Sequence, residues 1–340
     1  MNSSDGQNGT GSEVEPCDVG DPTQFFFLPM VYSMVLCVGL PGNAIALVVF
    51  FHNGKIKKAI RIYLINLTIS DILFNLTLPL WIYYYFRGGD WPALNGSVVS
   101  EILCRLSGAT YYLATYSAIT FMTLISINRY YTIEMSKSRL LLNTRQGALA
   151  ISLATWLVWL CCALPSLLEQ QSFQNNLSVT KCFEQYSDSE GYCYATIVYT
   201  VASFLIVLAS YISIIKSLSS PQSRSRSAHR RLAKAMVLGM LLVFLICIAP
   251  YHLTIAAWLV NRPSSPVCRS PSTLDVMHRI NVALLSLNSC IDPVIYCFSV
   301  KRFRTDLLKM WRKILRWLPL QDHVLEVQES HIKSSSFTST

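Results

Sequence analysis

Long apolar stretches, each interrupted by a short polar segment, dominate the chain from residue 25 to residue 299. Runs of spanning length occupy about 25–51, 62–86, 103–133, 146–168, 192–218, 232–260 and 274–299. A helix needs roughly 20 residues to cross a bilayer. In lipid each run must be helical, because no water is present to satisfy its backbone groups. The pattern predicts an all-α membrane protein, a seven-transmembrane helix bundle.

The polar segments alternate in charge. The first, third and fifth connections (52–61, 134–145 and 216–234) carry most of the loop lysines and arginines, whereas the second, fourth and sixth (87–100, 169–191 and 262–272) hold four. Positive charge stays on the cytoplasmic side, which predicts an outside N terminus and an inside C terminus at the plasma membrane. Residues 1–24 contain Asp and Glu but no Lys or Arg, and they lack the basic and apolar regions of a cleavable signal peptide. Glycosylation sequons begin at Asn2, Asn8, Asn95 and Asn176, all in segments assigned to the outer side. Asn66 and Asn75 also begin sequons, but they lie within an apolar run and are expected to stay unmodified.

Hydrophobic residues make up 52% of the chain and charged residues 14%, against roughly 25% charged in a soluble domain. That excludes a soluble enzyme and intrinsic disorder. The net charge of +9 would suit nucleic acid, but its confinement to segments between apolar runs points to membrane orientation instead. Of eleven cysteines, Cys37, Cys161, Cys162, Cys247, Cys290 and Cys297 fall inside apolar runs and read as small hydrophobes. Cys17, Cys104, Cys182, Cys193 and Cys268 sit near span ends or in loops, and no spacing suits a metal centre.

After the seventh run, Lys301, Arg302 and Arg304 precede a stripe of Leu307, Leu308, Trp311, Ile314, Leu315 and Leu318. Directly behind a span, this predicts a cytoplasmic amphipathic eighth helix on the inner leaflet rather than a soluble helix. The expected organisation is a glycosylated outer segment 1–24, a seven-helix domain 25–300, the amphipathic helix 301–318 and a Ser/Thr-rich tail 319–340. The hydroxyl cluster at the end of that tail is either a phosphorylation site or a plain polar terminus.

Ionisable residues inside a membrane are costly and mark function. Asp71 in the second run and Asp292 in the seventh are two such carboxylates. A shared cation such as sodium would neutralise both, and protonation of one would also serve. Pro293 removes a backbone donor and lets Asn288, Ser289 and Asp292 project into the bundle. Arg129, in Asn128-Arg129-Tyr130, ends the third run; an arginine there can simply snorkel to the interface.

Taken in order, Asn43, Asp71, Cys104, Asn128-Arg129-Tyr130, Trp156, Cys182, Pro250 and Asp292-Pro293-x-x-Tyr296 resemble the rhodopsin-like family of G-protein-coupled receptors. The resemblance covers about residues 25–318. It implies that an extracellular agonist repacks the helices, that the inner end of the sixth moves outward, and that a heterotrimeric G protein enters beneath Arg129. Tyr211 and Tyr296 would support the open cleft, and arrestin and receptor kinases would end the signal. Cys104–Cys182 would be the loop disulfide, Cys17–Cys268 a possible second pair, with Cys193 left over. Asp71, Asn288, Ser289 and Asp292 would form the pocket of an allosteric sodium ion, and no other cofactor is implied.

The chain departs from the family pattern at several places. Asn128 replaces the acidic residue before the arginine, and the sixth-helix stretch His229-Arg230-Arg231-Leu232-Ala233-Lys234 has no acidic partner for it. Both restraints on Arg129 are therefore missing, which predicts appreciable basal signalling. Ile248 stands where a tryptophan usually precedes the sixth-helix proline, the fifth run has no proline, and Ala118 replaces a serine of the ion pocket.

The outer halves of the runs are rich in aromatics, of which about half are expected to form the interfacial belt. Aromatic faces suit a quaternary ammonium group. His252, His278 and Arg279 would add basic groups at the pocket mouth for a phosphate or carboxylate, although a lone histidine is more often structural. The wording Thr77-Leu78-Pro79-Leu80-Trp81, Cys182-Phe183-Glu184-Gln185-Tyr186 and Asp292-Pro293-Val294-Ile295-Tyr296-Cys297-Phe298 resembles the branch that binds phospholipid mediators. That resemblance implies a ligand set of Tyr32, Trp81, Tyr85, Tyr111, Tyr112, Phe183, Tyr251, His252 and His278, with Arg279 as an added cation. The alternative is a receptor for a nucleotide, a lysophospholipid or a small organic anion. A retinal pigment would need a lysine in 274–299, and none is there. Neither the repeats of a transporter nor a protease motif is present.

Overall fold

The computed structural model describes residues 24–52, 58–91, 98–134, 141–168, 173–174, 180–182, 190–218, 227–260 and 273–299, with Phe303, Thr305 and residues 307–309 beyond them. Its helices are α1 (Gln24–His52), α2 (Ala59–Phe86), α3 (Val98–Glu134), α4 (Arg145–Leu168), α5 (Glu190–Leu218), α6 (Ser227–Val243), α7 (Ala249–Val260) and α8 (Thr273–Ser299). A π-helical turn, Phe244–Ile248, joins α6 to α7 without a break. The eight segments therefore make seven rods, one for each apolar run.

Among the described residues, six rods are long and apolar enough to cross a membrane by length and composition alone. The exception is α3, whose apolar character is diluted by Ser107, Thr110, Thr115, Ser117, Thr120, Thr123 and Ser126. Its position explains the tolerance. It packs against α2, α4, α5 and α6, so its polar side chains meet protein rather than lipid. Thr120, Thr123, Ser126 and Thr132 each return a hydrogen bond to the carbonyl four residues back, which satisfies the hydroxyl within the helix. The peripheral rods carry large apolar side chains outward, such as Val38 and Val48 on α1, Leu153 and Leu157 on α4, and Val198 and Leu205 on α5. These faces suit lipid.

Prolines shape the rods locally. Pro250 has no N–H to offer Ile246, and its ring crowds that carbonyl. The turn before it widens, so the Ala249 N–H bonds to the Phe244 carbonyl five residues back. Without an internal proline, α5 runs through 29 residues as α-helix.

At the end of the bundle expected to face outside, here called the outer end, Cys104 of α3 is bonded to Cys182. Cys182 follows a short ladder in which β1 (Phe173–Gln174) pairs antiparallel with β2 (Thr180–Lys181). Two-residue strands carry no alternation to read, so the hydrophobic pattern gave no sign of them. Tyr84 and Trp91 pack on the disulfide as a separate small core, and the Trp91 indole donates to the Ser100 carbonyl at 3.0 Å. Gly88 and Gly89, at φ 71° and 76°, turn the chain there; only glycine adopts that region freely. Arg105 donates to the Leu168 carbonyl at 3.1 Å and so closes the C-terminal end of α4.

At the opposite end, here called the inner end, Phe303 packs between Phe50 and Tyr296, with ring centroids 5.3 and 6.1 Å away. Thr305 and residues 307–309 are helical as well, whereas the remaining residues of the expected helix 301–318, the tail, Asn2, Asn8, Asn95 and Asn176, and the pair Cys17 and Cys268 fall outside the described residues.

Candidate functional site

The expected residues collect in three layers along the bundle. In the outer layer, Tyr32 from α1, Trp81 and Tyr85 from α2 and Tyr111 from α3 meet as one cluster. Trp81 lies 5.1 Å from Tyr111, 6.3 Å from Tyr32 and 6.4 Å from Tyr85 between ring centroids. Trp81 and Tyr85 share a helix face because they are four residues apart. The same spacing stacks Tyr112 on Tyr116, with ring planes 4° apart. From there the aromatics continue through Trp159, Tyr199 and His252 around Tyr116, and through Tyr251 to His278 at 5.4 Å.

His252 does not stand at the mouth of this region, as its neighbours in sequence suggest. It is only 4% exposed. Its Nδ1 lies 2.9 Å from the Ile248 carbonyl, which can only accept, so Nδ1 carries the proton. In the neutral ring Nε2 is then an acceptor, and it faces the Thr200 hydroxyl at 3.1 Å and the Tyr116 hydroxyl at 3.4 Å. His252 thereby ties α7 to α3 and α5. His278 is half-buried and bonds Thr254 at 3.1 Å. Arg279 is also half-buried, and its enclosed Nη1 has no hydrogen-bond partner. Phe183 lies outside the described residues.

Trp159, Thr120 and Tyr199 were not among the expected site residues. The Trp159 indole donates to Thr120 Oγ1 at 2.8 Å, and the Tyr199 hydroxyl lies 2.6 Å from the same oxygen. This triad joins α3, α4 and α5 beside Tyr116. The run Tyr112, Tyr116, Thr120 at four-residue steps was the available signal: a polar-tipped stripe on one face of the central helix.

The middle layer lies below Phe74, whose ring meets Tyr111 at 5.2 Å. Between α2, α3 and α8 is a cavity of about 10 Å³, lined among others by Phe74, Asp71, Thr115, Ala118, Asn288 and Ser289. Three of the four expected ion-pocket residues are thus brought to it. Asp292 is fully buried and within electrostatic reach of Asp71, but it does not line this cavity. Asp71 Oδ2, Asn288 Oδ1 and both Asp292 carboxylate oxygens are buried without a hydrogen-bond partner. Such orphaned acceptors require an ion or ordered water, and an oxygen-only donor set fits a hard cation. The volume admits one water-sized particle. Beside the cavity, Asn43 donates to the carbonyls of Ser289 and Gly39 at 2.7 and 3.0 Å, and the Trp156 indole donates to Asn66 at 2.8 Å.

The inner layer holds the Asn128-Arg129-Tyr130 segment. Asn128 Nδ2 donates to Asn143 Oδ1 at 2.7 Å, within the 3₁₀ turn Leu141–Asn143. The Tyr63 hydroxyl holds the same turn through the Leu142 carbonyl at 3.1 Å. Arg129 Nε donates to the Met236 thioether on α6 at 3.3 Å. No salt bridge to Arg129 is found among the described residues. Arg129 is therefore not unrestrained, as the missing acids suggest; its contacts are neutral. Tyr130 packs on Tyr131, Tyr211 is half-buried on α5, and Tyr296 is buried against Phe50. Pro250 follows the widened turn above them, and Pro293 follows Asp292 within α8.

Residues 42–296 match the family described as 7 transmembrane receptor (rhodopsin family). The chain is 31% identical over 297 residues to the platelet-activating factor receptor of Homo sapiens, covering 84% of this chain and 85% of that protein. It is 30% identical over 297 residues to the platelet-activating factor receptor of Cavia porcellus, with the same coverage. To G-protein coupled receptor 183-B of Danio rerio it is 30% identical over 311 residues, 87% of this chain and 83% of that protein.

Proposed function

The chain belongs to the rhodopsin family of seven-transmembrane receptors and is a G-protein-coupled receptor, not an enzyme; we propose that its agonist is an extracellular phospholipid mediator of the platelet-activating factor type. One observation carries this reading: an unbroken series of aromatic rings from Tyr32 to His278, with Arg279 next in sequence and its Nη1 enclosed without a hydrogen-bond partner. An ether phospholipid presents an alkyl chain, a phosphate and a choline. Tyrosine and tryptophan faces take the quaternary ammonium, the apolar ring edges take the alkyl chain, and His278 and Arg279 take the phosphate. The likeness to platelet-activating factor receptors supports the same ligand class.

In this reading the N terminus faces the outside of the plasma membrane. Agonist binding among Tyr111, Tyr112 and Tyr251 disturbs the Tyr116–His252–Thr200 contacts, and the turn before Pro250 lets α6 swing away from Arg129. A Gq-type protein enters the opened cleft and calcium rises. Phosphorylation of the tail by receptor kinases and arrestin binding then end the response. A sodium ion at Asp71, Asn288 and Ser289, balanced by Asp292, favours the resting packing.

The test is intracellular calcium in transfected cells challenged with platelet-activating factor, its lyso form, a nucleotide and lysophosphatidic acid, with surface expression measured. The expected result is a response to the ether phospholipid that the lyso form does not match. A second reading rests on the partnerless Arg279 Nη1: the agonist is a smaller anion. Silence to the ether phospholipid, with a response to an anionic ligand that Arg279→Gln abolishes, would decide for that reading.

A further inference from the structure

The family's ion pocket takes a serine hydroxyl from the third helix, and this chain has Ala118 there. The same cavity nevertheless receives a hydroxyl from α3. Thr115, three residues before Ala118 and thus on the same helix face, lines the cavity together with Asp71 and Asn288. Its Oγ1 is buried without a hydrogen-bond partner, and the residue is only 8% exposed.

Thr120, Thr123, Ser126 and Thr132 all satisfy their hydroxyls on the carbonyl four residues back. Three buried hydroxyls of α3 do not, those of Ser107, Thr115 and Ser117, and of these only Thr115 lines the cavity. A threonine in a helix has the back-bond at hand, so leaving it unmade costs free energy unless another partner is present. Asp71 Oδ2 and Asn288 Oδ1 are orphaned on the same lining. Ser289 Oγ donates its proton to the Ser286 carbonyl at 3.1 Å, which leaves its lone pairs free to accept. A single water can donate to only two of the acceptors Asp71 Oδ2, Asn288 Oδ1 and Ser289 Oγ, whereas a cation can meet all three. The carboxylate favours a cation over water, because the buried charge is then compensated.

We infer that Thr115 is a ligand of the sodium site, its Oγ1 supplying from one turn toward the outside the oxygen that Ala118 lacks. The assignment rests on the sodium reading given above. It moves the α3 ligand closer to Tyr111 and Tyr112, four and three residues away, and so couples occupancy of the cavity directly to the rings proposed to meet the agonist.

The test uses the full-length receptor, purified in detergent, and thermal unfolding followed with a thiol-reactive dye across a series of NaCl or KCl concentrations at constant ionic strength. Wild type is expected to gain Tm with sodium but not potassium, saturably, as binding to the folded state requires. Thr115→Val keeps the shape and removes the oxygen. In KCl it should melt at or above the wild-type temperature, because no orphaned hydroxyl remains. Its sodium midpoint should shift upward about tenfold or more, the usual consequence of removing a metal-site oxygen. Thr115→Ser should keep the wild-type midpoint, and Ala118→Ser added to Thr115→Val should restore it. A Thr115→Val midpoint equal to wild type overturns the assignment while leaving the sodium site standing. A wild-type receptor with no sodium-specific gain overturns the sodium reading and the assignment with it. Asp71→Asn, which removes the carboxylate, should abolish the gain.

Discussion

Asn43 on α1 donates a 2.7 Å hydrogen bond to the carbonyl of Ser289 on α8. Pro293, four residues on, cannot supply that carbonyl with its helical donor. A side chain from the first rod thus completes the backbone of the last. Asn43→Ala would leave the Ser289 carbonyl without its donor, while the Gly39 carbonyl keeps its helical bond to the backbone N–H of residue 43. The expected loss is about 1–3 kcal/mol, read as a lower Tm of purified receptor and reduced surface expression.

The neutral contacts of Arg129 are expected to set the resting level of signalling. A guanidinium–thioether contact is weaker than a charge-assisted bond to a carboxylate. Basal inositol phosphate production should therefore exceed that of mock-transfected cells at matched surface expression. Met236→Ala removes the α6 contact and should raise the basal level further. Asn128→Asp places a carboxylate beside Arg129 and should lower it. The same level in all three receptors would show that these contacts do not hold the resting state.

His252→Phe retains the ring volume but loses the bonds to Ile248, Thr200 and Tyr116. Surface expression should change little, while agonist potency falls about tenfold, the equivalent of one buried hydrogen bond of about 1.4 kcal/mol. Tyr116→Phe should cause a smaller loss. The two substitutions should be non-additive, because the residues share one contact. Concentration–response curves for both single variants and the double variant check this.

Gly147 allows α4 to start against the turn that Asn128 holds. A Cβ there would lie 2.0 Å from the Leu141 carbonyl oxygen, a backbone atom that cannot be moved aside cheaply. Thr144 caps the same turn of helix by accepting from the Gly147 N–H at 3.0 Å. Gly147→Ala should dislodge residues 141–143 from Asn128 and Tyr63. Hydrogen exchange should quicken at the Thr144 and Ala148 amides, and basal signalling should rise.

Cys104–Cys182 closes a sequence separation of 78 residues. Such a crosslink is worth about 4 kcal/mol in the chain-entropy account. Cys104→Ser should cut surface expression sharply and free the packing of Tyr84 and Trp91. Intact expression with an unchanged Tm would contradict a structural role for the bond.

The seven rods and the intramembrane carboxylates were legible in the amino-acid sequence. Lipid leaves one way to satisfy a spanning backbone, so an apolar run of sufficient length specifies a helix without reference to its neighbours. The orientation proposed above rests on loop charge, an equally local signal. Asp71, Arg129 and Asp292 announce themselves because a charge in an apolar run needs a reason to be there. What was not local was not legible. The depth of His252 depends on the widened turn before Pro250, which rotates α7 relative to α6. Met236 as the partner of Arg129 carries no mark in the sequence, since a methionine in an apolar run looks like any other core residue. Thr115 and Ser117 are equivalent as letters on α3, and only the rotation of that helix against α2 and α8 turns one of them into the cavity. The sequence by itself determined which segments cross the membrane and which side chains could not be there for packing alone. The tertiary structure decided which of those side chains meet, because meeting depends on helix rotation and close approach, and these follow from the packing of all seven rods together.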